Sequence, residues 1–294
     1  MFTGNGMFSG KDVRRIMRGA TSKGQGKGMT SEENTANGQY FSAHPETPDV
    51  RRTLKVKLRG HEMNVETSHG VFSMNRVDLG TSVLLRHAPE APKHGRFLDL
   101  GCGWGPVALS LAQESPDAQI VAVDVNERAV ELTSHNAQLN GFSNVSAFTP
   151  TNMPTDMSFD LIWSNPPIRI GKADLHALLM QYLARLSVGG DAYLVVQKNL
   201  GADSLRAWLD STLNASNAVD VSNASTGQTE DIQPWTVEKT ASSKGFRILH
   251  LHRNAGDHNP TGHSANDDKT GEGIGNPSNS EHQHPENKTE RLAI

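Results

Sequence analysis

The 294-residue sequence contains one cysteine, Cys102, and no apolar run long enough to cross a membrane. A single cysteine excludes a disulfide framework, and no Cys/His grouping has the spacing of a zinc site. A membrane-spanning helix needs about eighteen consecutive apolar residues. The Arg14-Arg15 pair is not followed by the apolar segment of a secretory signal. We therefore expect a protein of a reducing compartment, the cytoplasm, with no metal site and no membrane association.

The chain is also poor in apolar residues, which make up 35% of it. The deficit is concentrated at the two ends, because residues 1–38 and 254–294 are rich in Gly, Ser, Asn, Thr, Glu and His and show no apolar periodicity. We predict a disordered N-terminal arm and a disordered C-terminal tail. The intervening residues 39–253 are the predicted folded domain, and a core of roughly 215 residues is ample for a single α/β unit.

The N-terminal arm is basic, whereas the tail is acidic. Residues 1–30 carry six lysines and arginines and one acid, Asp12. Such an arm is typical of nucleic-acid binding. In the alternative interpretation, Met29 is the translation start and the arm has no function.

Short apolar segments alternate with helical patterns in the middle of the chain. The predicted strands are 96–100, 119–124, 145–148, 159–163 and 191–197, and the predicted helices are 106–114, 127–140, 173–187 and 202–213. Alternation of this kind implies a parallel sheet with helices on both faces. Asn140-Gly141 and Gly189-Gly190 are the predicted helix stops.

Two pairs of segments predict antiparallel hairpins. Residues 235–239 and 246–252 are close enough for a hairpin at one edge of the sheet, and residues 53–58 and 63–67 predict another near the start of the domain. The polar, Asn/Ser-rich residues 214–233 predict an inserted surface loop.

The most informative motif is Phe97-Leu-Asp99-Leu-Gly101-Cys-Gly103-Trp-Gly105. It predicts a short strand that runs into a glycine turn, where bare backbone can approach a nucleotide-like ligand. In a dinucleotide fingerprint a third glycine follows the second by three residues, but that position is Pro106, which speaks against NAD or FAD. Asp124 ends the second strand, where its carboxylate can accept both ribose hydroxyls. Asp99 suits the cationic amino group of a methionine moiety.

On these residues the sequence resembles the class I S-adenosylmethionine-dependent methyltransferases. The resemblance implies an α/β, Rossmann-like fold with a mostly parallel seven-stranded sheet and a C-terminal antiparallel hairpin. It also implies S-adenosylmethionine as the cofactor, with Asn152 at the position that holds the adenine amino edge. The cofactor-binding residues implied by this resemblance are Asp99, Gly101, Gly103, Gly105, Asp124, Asn152 and Asn165.

The second motif is Ser164-Asn165-Pro166-Pro167, directly after the strand 159–163. It resembles the Asn/Asp-Pro-Pro-aromatic motif of enzymes that methylate amino groups attached to a planar π system, and the resemblance implies a catalytic role for Asn165, Pro166 and Pro167. Such a nitrogen delocalises its lone pair and is a poor nucleophile until acceptors hold its hydrogens. The Asn165 side-chain oxygen and the Pro166 carbonyl are the expected acceptors.

The chain departs from this motif at its fourth position, where Ile168 replaces the usual Tyr or Phe that stacks on the acceptor. The stacking surface must then come from elsewhere. Phe72 and Trp104 are the candidates, although a Trp beside a helix start more often packs in the core. Trp163, inside a strand, is predicted to be core.

Upstream, Gly70-Val-Phe72-Ser and Val77-Asp78-Leu-Gly80-Thr81 resemble the lead-in of the "methyltransferase small" family. Its known members include bacterial ribosomal RNA guanine-N2 methyltransferases, so the implied partner is ribosomal RNA or a ribosomal subunit. Those enzymes typically carry a second, degenerate domain before the active one, and fewer than seventy residues precede it here. The expected substrate-binding residues are Phe72, Ile168, Arg169 and Lys172, the last two as phosphate contacts or as part of a solvated loop.

Two other functions are compatible with these residues. One is N5-methylation of a protein glutamine, which uses the same Asn-Pro-Pro chemistry, although the lead-in favours RNA. The other is a catalytically silent RNA-binding or ribosome assembly factor with the same fold. The presence of Asp99, Asp124 and Asn165 argues against a silent protein.

Overall fold

The computed structural model describes residues 47–215 and 234–255. The predicted N-terminal arm, nearly all of the predicted tail and residues 216–233 of the predicted surface loop lie outside these ranges, so the predicted domain boundaries stay predictions. Within the ranges no helix is long and apolar enough to cross a lipid bilayer.

The described chain forms nine strands, five α-helices and two 3-10 helices. The strands are β1 (Arg51–Leu58), β2 (His61–Ser68), β3 (Arg96–Leu100), β4 (Gln119–Val123), β5 (Val145–Phe148), β6 (Phe159–Ser164), β7 (Leu186–Gln197), β8 (Trp235–Ser243) and β9 (Phe246–Arg253). The α-helices are α1 (Leu79–His87), α2 (Pro106–Glu114), α3 (Glu127–Leu139), α4 (Lys172–Leu183) and α5 (Ala202–Ala215), and the 3-10 helices are Ile168–Ile170 and Lys198–Leu200.

Seven strands form one sheet in the order β5-β4-β3-β6-β7-β9-β8. The first five are parallel, and β9 runs antiparallel between β7 and β8. The predicted seven-stranded, mostly parallel sheet with a C-terminal antiparallel hairpin is therefore confirmed.

Both faces of the sheet are buried, which explains why its central strands are apolar throughout. Successive side chains point to opposite faces, so Phe97 packs in the core formed with α1, α2 and α3, while Leu98 packs in the core formed with α4 and α5. Each of these two side chains is fully buried.

Two local predictions were wrong, and helix α1 was missed. The predicted helix 173–187 ends at Leu183, after which β7 already begins at Leu186. Gly189-Gly190 lies inside β7 and is not a helix stop. A Cβ on Gly190 would lie 3.0 Å from the Asp160 carbonyl oxygen, and the β6–β7 register shifts between Phe159 and Leu161. The glycine pair therefore permits a close strand approach at an irregular point of the ladder.

The β1–β2 hairpin is attached to the domain through two asparagines of α3. The Asn136 carboxamide accepts the Glu66 N–H (2.6 Å) and donates to the Glu66 carbonyl (2.9 Å). One turn later the Asn140 carboxamide makes the same pair of bonds with Asn64, at 3.2 and 2.8 Å. Each carboxamide thus bonds to the edge of β2 as a backbone peptide group of a neighbouring strand would. It satisfies N–H and C=O groups of β2 that are not hydrogen-bonded to β1.

The turn of this hairpin contacts the C-terminus of α1. Arg59 pairs with Glu114 of α2, and its guanidinium donates to the carbonyls of Leu85 (2.6 Å) and Ala88 (3.0 Å) at the C-terminus of α1. A helix C-terminus leaves carbonyls without partners and favours a cation. The hairpin therefore fixes the position of α1.

We predict that Asn136→Ala lowers the free energy of unfolding by about 3 kcal/mol, because it removes three hydrogen bonds and leaves buried backbone groups unsatisfied. The third bond runs to the Trp104 carbonyl (2.8 Å). Asn140→Ala is the matched control: its two bonds to Asn64 are exposed and its third, to the Asn136 carbonyl, is only partly buried, so its effect should be smaller, about 1 kcal/mol. Urea denaturation measures both, and equal effects would show that burial of Asn136 has no special role.

Candidate functional site

A cavity of about 370 Å³ opens at the carboxyl ends of the parallel strands. In the sheet, β3 has β4 on one side and β6 on the other, so the strand order reverses its direction at β3. The cavity lies at this switch point, which is the usual ligand position in open α/β sheets. Its walls include the glycine turn, Asp124 and the Asn165-Pro166-Pro167 segment, so both predicted motifs meet here. A larger cleft of about 820 Å³, between the β1–β2 turn and helices α1 and α2, contains none of the predicted site residues.

The glycine turn presents bare backbone to the cavity. Gly101, Gly103 and Gly105 have φ values of +83°, +58° and +97°, a region that side chains disfavour. Gly101 and Gly103 line the cavity. Gly105 faces away from it, and a Cβ there would lie 3.1 Å from the Thr133 side chain. The first two glycines thus fit a ligand contact, and the third fits close packing against α3.

The Asp99 carboxylate caps the N-terminus of helix α2. One of its oxygens accepts the Ala108 N–H at 2.9 Å. Ala108 is the third residue of a helix that begins at Pro106 and whose N-cap, Gly105, has no side chain. A strand residue therefore supplies the missing cap. Asp99 lies in a small recess beside the main cavity, with Gly101, Trp104 and Asn165. Burial raises the pKa of Asp99 to about 8, with a smaller contribution from the charge of Asp124.

Asp124 lines the main cavity and braces the glycine turn. Its two oxygens accept the Gly103 N–H (2.9 Å) and the Asn126 N–H (3.0 Å). Burial raises the pKa of this carboxyl, and these backbone hydrogen bonds oppose that rise. Each carboxylate oxygen has a second lone pair, so Asp124 can still accept a pair of hydroxyls.

Asn165 is held by two residues of the α1 N-terminus. Its Nδ2 donates to the Asp78 carboxylate (2.9 Å) and to Thr81 Oγ1 (3.1 Å). Both amide hydrogens are therefore used, and Oδ1 is left as an acceptor at the cavity wall. Asp78 is also the N-cap of α1, since it accepts the N–H groups of Gly80 and Thr81.

The predicted residues in and after the Pro166-Pro167 segment do not all line the cavity. The Pro166 carbonyl accepts the Ile168 N–H at 2.8 Å and keeps one lone pair. Pro167, Ile168 and Arg169 line the cavity. Lys172, the exposed first residue of α4, is not among the lining residues.

Of the two predicted stacking residues, only Phe72 lies on the main cavity. Its side chain lines the cavity and is 45% exposed. Trp104 is buried in the core, and its indole N–H donates to the Ser73 carbonyl at 3.3 Å. Trp163 is fully buried, as predicted for a core residue.

Asn152 is not brought to the cavity. It lies in an exposed turn after β5, whose backbone closes through bonds from Asn152 and Met153 to the Thr149 carbonyl. That turn buries Met153 and directs Asn152 to solvent. Its predicted adenine contact therefore stays a prediction without geometric support.

Several cavity residues were not predicted from the sequence. They are Asp78, Asn126, Gln197, Leu200 and Phe246. Asp78 had a local signal, because an acid before Leu-Gly-Thr is typical of a helix N-cap. Gln197 and Phe246 had none, since only the pairing of β7 with β9 brings them together. In the described ranges no three His, Cys, Asp or Glu side chains are grouped to hold a metal ion.

We predict that Asp99 makes stability fall with rising pH. Its pKa in the folded protein is about 8, against an ordinary value of 3.8, so the folded state binds the extra proton between these values and unfolding becomes easier as pH rises through them. Asp99→Asn keeps an acceptor for the Ala108 N–H but cannot ionise. Denaturation from pH 5 to 8 should give a flatter dependence for this variant, and identical slopes would contradict the shift.

Residues 62–224, more than half of the chain, match the family model of the Methyltransferase small domain. The chain is 38% identical over 168 residues to the uncharacterized protein YbxB of Bacillus subtilis, covering 56% of this chain and 84% of that protein. It is 29% identical over 160 residues to Ribosomal RNA small subunit methyltransferase C of Shewanella amazonensis, covering 53% of this chain but only 46% of that protein.

A solved structure supports the same fold. The Thermus thermophilus 16S rRNA N2 G1207 methyltransferase (RsmC), in complex with AdoMet and guanosine, superposes with a TM-score of 0.53 at 24% identity and covers 71% of this chain and 52% of its own. This chain thus spans about half the length of the named rRNA methyltransferases that it matches. The family match confirms the predicted family: the chain belongs to the methyltransferase small domain family.

Proposed function

We propose that the protein uses S-adenosylmethionine to methylate the exocyclic N2 amino group of a guanine in ribosomal RNA. The observation that carries the proposal is the orientation of Asn165. Asp78 and Thr81 bind both of its amide hydrogens, which leaves the side-chain oxygen as the acceptor, and Asn165 lines the same cavity as the glycine turn and Asp124. A methyl-donor site and an amino-acceptor site are therefore adjacent.

The residues of the glycine turn fit the cofactor. Gly101 and Gly103 leave open space where a Cβ would stand, with no atom closer than 3.8 Å. Asp124 has lone pairs left for the ribose hydroxyls, and the second oxygen of Asp99, beside the recess at Gly101, accepts no hydrogen bond from the described residues. A bound sulfonium cofactor supplies the methyl group. The ammonium of its methionine portion would offset the cost of ionising the buried Asp99.

The acceptor end fits a planar amine. Asn165 Oδ1 accepts one hydrogen of the amino group, and the free lone pair of the Pro166 carbonyl accepts the other. These bonds draw the nitrogen toward tetrahedral geometry and direct its lone pair at the methyl carbon. With S-adenosylmethionine bound, the cofactor would supply the methyl group from its sulfonium, and the proton released by the methylated amine would pass to water. Such a displacement depends on positioning more than on a strong base.

The RNA part of the proposal is supported by the relatives and by the cavity mouth. The Shewanella and Thermus proteins are named as small-subunit rRNA methyltransferases, the latter with guanosine bound. Arg169, exposed at the cavity, is placed to contact a phosphate, with Lys172 three residues later on the same surface segment. A base in a duplex would have to leave its pairing to enter the cavity. This substrate implies a cytoplasmic enzyme.

The substrate is tested by incubating the protein with methyl-labelled cofactor and, separately, ribosomal RNA, small ribosomal subunits and a release-factor protein. We expect label in RNA, recovered as N2-methylguanosine after digestion. The activity should fall steeply with added salt, because phosphate contacts release counterions. Label only in protein glutamine would overturn the RNA assignment while leaving methyl transfer intact, and no label in any substrate would favour a silent protein.

We predict that Asn165→Ala lowers the methylation rate by about 10²-fold or more while cofactor affinity stays nearly unchanged, because the lost acceptor acts mainly on the amine in the transition state. Asp124→Ala is the reciprocal variant and should weaken cofactor binding about tenfold or more, since it removes charge-assisted hydrogen bonds. Calorimetry and single-turnover rates separate the two. If both variants lose only cofactor affinity, Asn165 does not act on the acceptor.

A further inference from the structure

We infer that Gln197 recognises the N1–H and O6 of the guanine whose N2 is held at Asn165. The inference rests on the proposed function and names the residue that selects the base. It starts from the position of Gln197, the last residue of β7, whose side chain lines the cavity. Nothing in the local sequence marks this residue.

The sheet register places Gln197 beside Asn165. Strands β6 and β7 are parallel neighbours with Ser164 opposite Leu194, so Asn165 follows level with Val195. Gln197 lies two residues further along the same face as Val195, and both line the cavity. Two residues of a strand span about 6.6 Å, a length comparable with the hydrogen-bonding edge of a purine. One base can therefore reach both carboxamides.

Phe246 borders the space between them. It is the cross-strand partner of Gln197 on β9, and it also lines the cavity. Its Cε1 and the Asn165 Oδ1 are each 3.1 Å from the point where a Gly80 Cβ would stand, so these two atoms are at most twice that distance apart. The ring supplies an apolar surface next to Asn165, although the motif itself has Ile168 in place of an aromatic residue. Asn165, Gln197 and Phe246 thus share one part of the cavity.

The chemistry of the Gln197 carboxamide matches guanine. Asn165 donates both of its amide hydrogens to protein groups, whereas no hydrogen bond of the Gln197 side chain is found among the residues that the structure describes. Its oxygen can accept the guanine N1–H while its nitrogen donates to O6. These two hydrogen bonds, to N1–H and O6, add to the two that hold N2, so all three groups on this edge of the guanine are bound.

The test uses two nucleosides that both carry the N2 amino group. Guanosine offers N1–H and O6, whereas 2-aminopurine riboside has an unprotonated N1 and no O6, so it offers at most one of the two bonds. NMR titration of the protein, saturated with S-adenosylhomocysteine, gives the affinity for each nucleoside. We expect the wild type to bind guanosine about fivefold more tightly or better, since a bidentate base contact discriminates by at least about this factor.

Three variants separate recognition from packing. Gln197→Ala should lose the preference, because guanosine loses two hydrogen bonds to this side chain and 2-aminopurine riboside loses at most one. Gln197→Met has a similar length and volume but can make neither hydrogen bond, so it should lose the preference too, whereas a residue that only packs would tolerate this change. Gln138→Ala, at an exposed position on α3, should keep the wild-type ratio.

Equal wild-type affinities for the two nucleosides would overturn the inference, as would a guanosine preference that survives in Gln197→Ala or Gln197→Met. These outcomes are independent of the proposed RNA reaction. If ribosomal RNA is not methylated but the nucleoside preference depends on Gln197, the base-recognition site stands and the substrate assignment fails. If RNA is methylated without that preference, the reverse holds.

Discussion

The candidate site depends on one carboxylate oxygen, Asp78 Oδ2. It accepts the N–H groups of Gly80 (2.8 Å) and Thr81 (3.2 Å), which caps α1, and also the side-chain amide of Asn165 (2.9 Å). The orientation of the Asn165 side chain therefore depends on the N-terminus of α1, where the helix stabilises the Asp78 carboxylate. The space around this oxygen also excludes a side chain at position 80, because a Cβ on Gly80 would lie 3.0 Å from the oxygen. A larger residue at position 80 would displace either the cap or Asn165.

The helix that carries this cap is itself held at its far end by Arg59 of the first hairpin. That hairpin is bonded to α3 through Asn136, which also holds the Trp104 carbonyl within the glycine turn. A continuous set of polar contacts therefore connects the hairpin, both predicted motifs and the two helices next to them. Asp99 and Asp124 also bind backbone groups around the glycine turn: Asp99 accepts the Ala108 N–H of α2, and Asp124 accepts the N–H groups of Gly103 and Asn126. Their raised pKa values show that these bonds do not fully compensate for burial, so a bound cation would be favoured beside them.

The sequence predicted the fold well where signals are local and the site only in part. Strand β3 with its glycine turn, helix α2 and the Asn165 segment were predicted because their periodicity and turn residues are contiguous. Gly189-Gly190 was misinterpreted because a glycine pair ends a helix and permits a close strand approach equally well. Asn152 was placed by its distance from β5 along the chain, but the direction of its side chain depends on how the turn closes around Met153. Gln197 and Phe246 are far apart in sequence, and only the β7–β9 ladder makes them neighbours.

This ladder gives the antiparallel hairpin a role beyond closing the sheet. A parallel strand beside β7 would need a crossover helix, whereas the antiparallel β9 begins at the cavity edge where β7 ends. Its first residue, Phe246, therefore stands beside the last residue of β7. With Ile168 in the motif, an aromatic surface for the acceptor must come from outside the motif, and the described chain places Phe72 on one part of the cavity wall and Phe246 on another. Replacing the motif aromatic is thus compatible with binding a planar base, because β9 delivers a ring next to Asn165 from a different part of the chain.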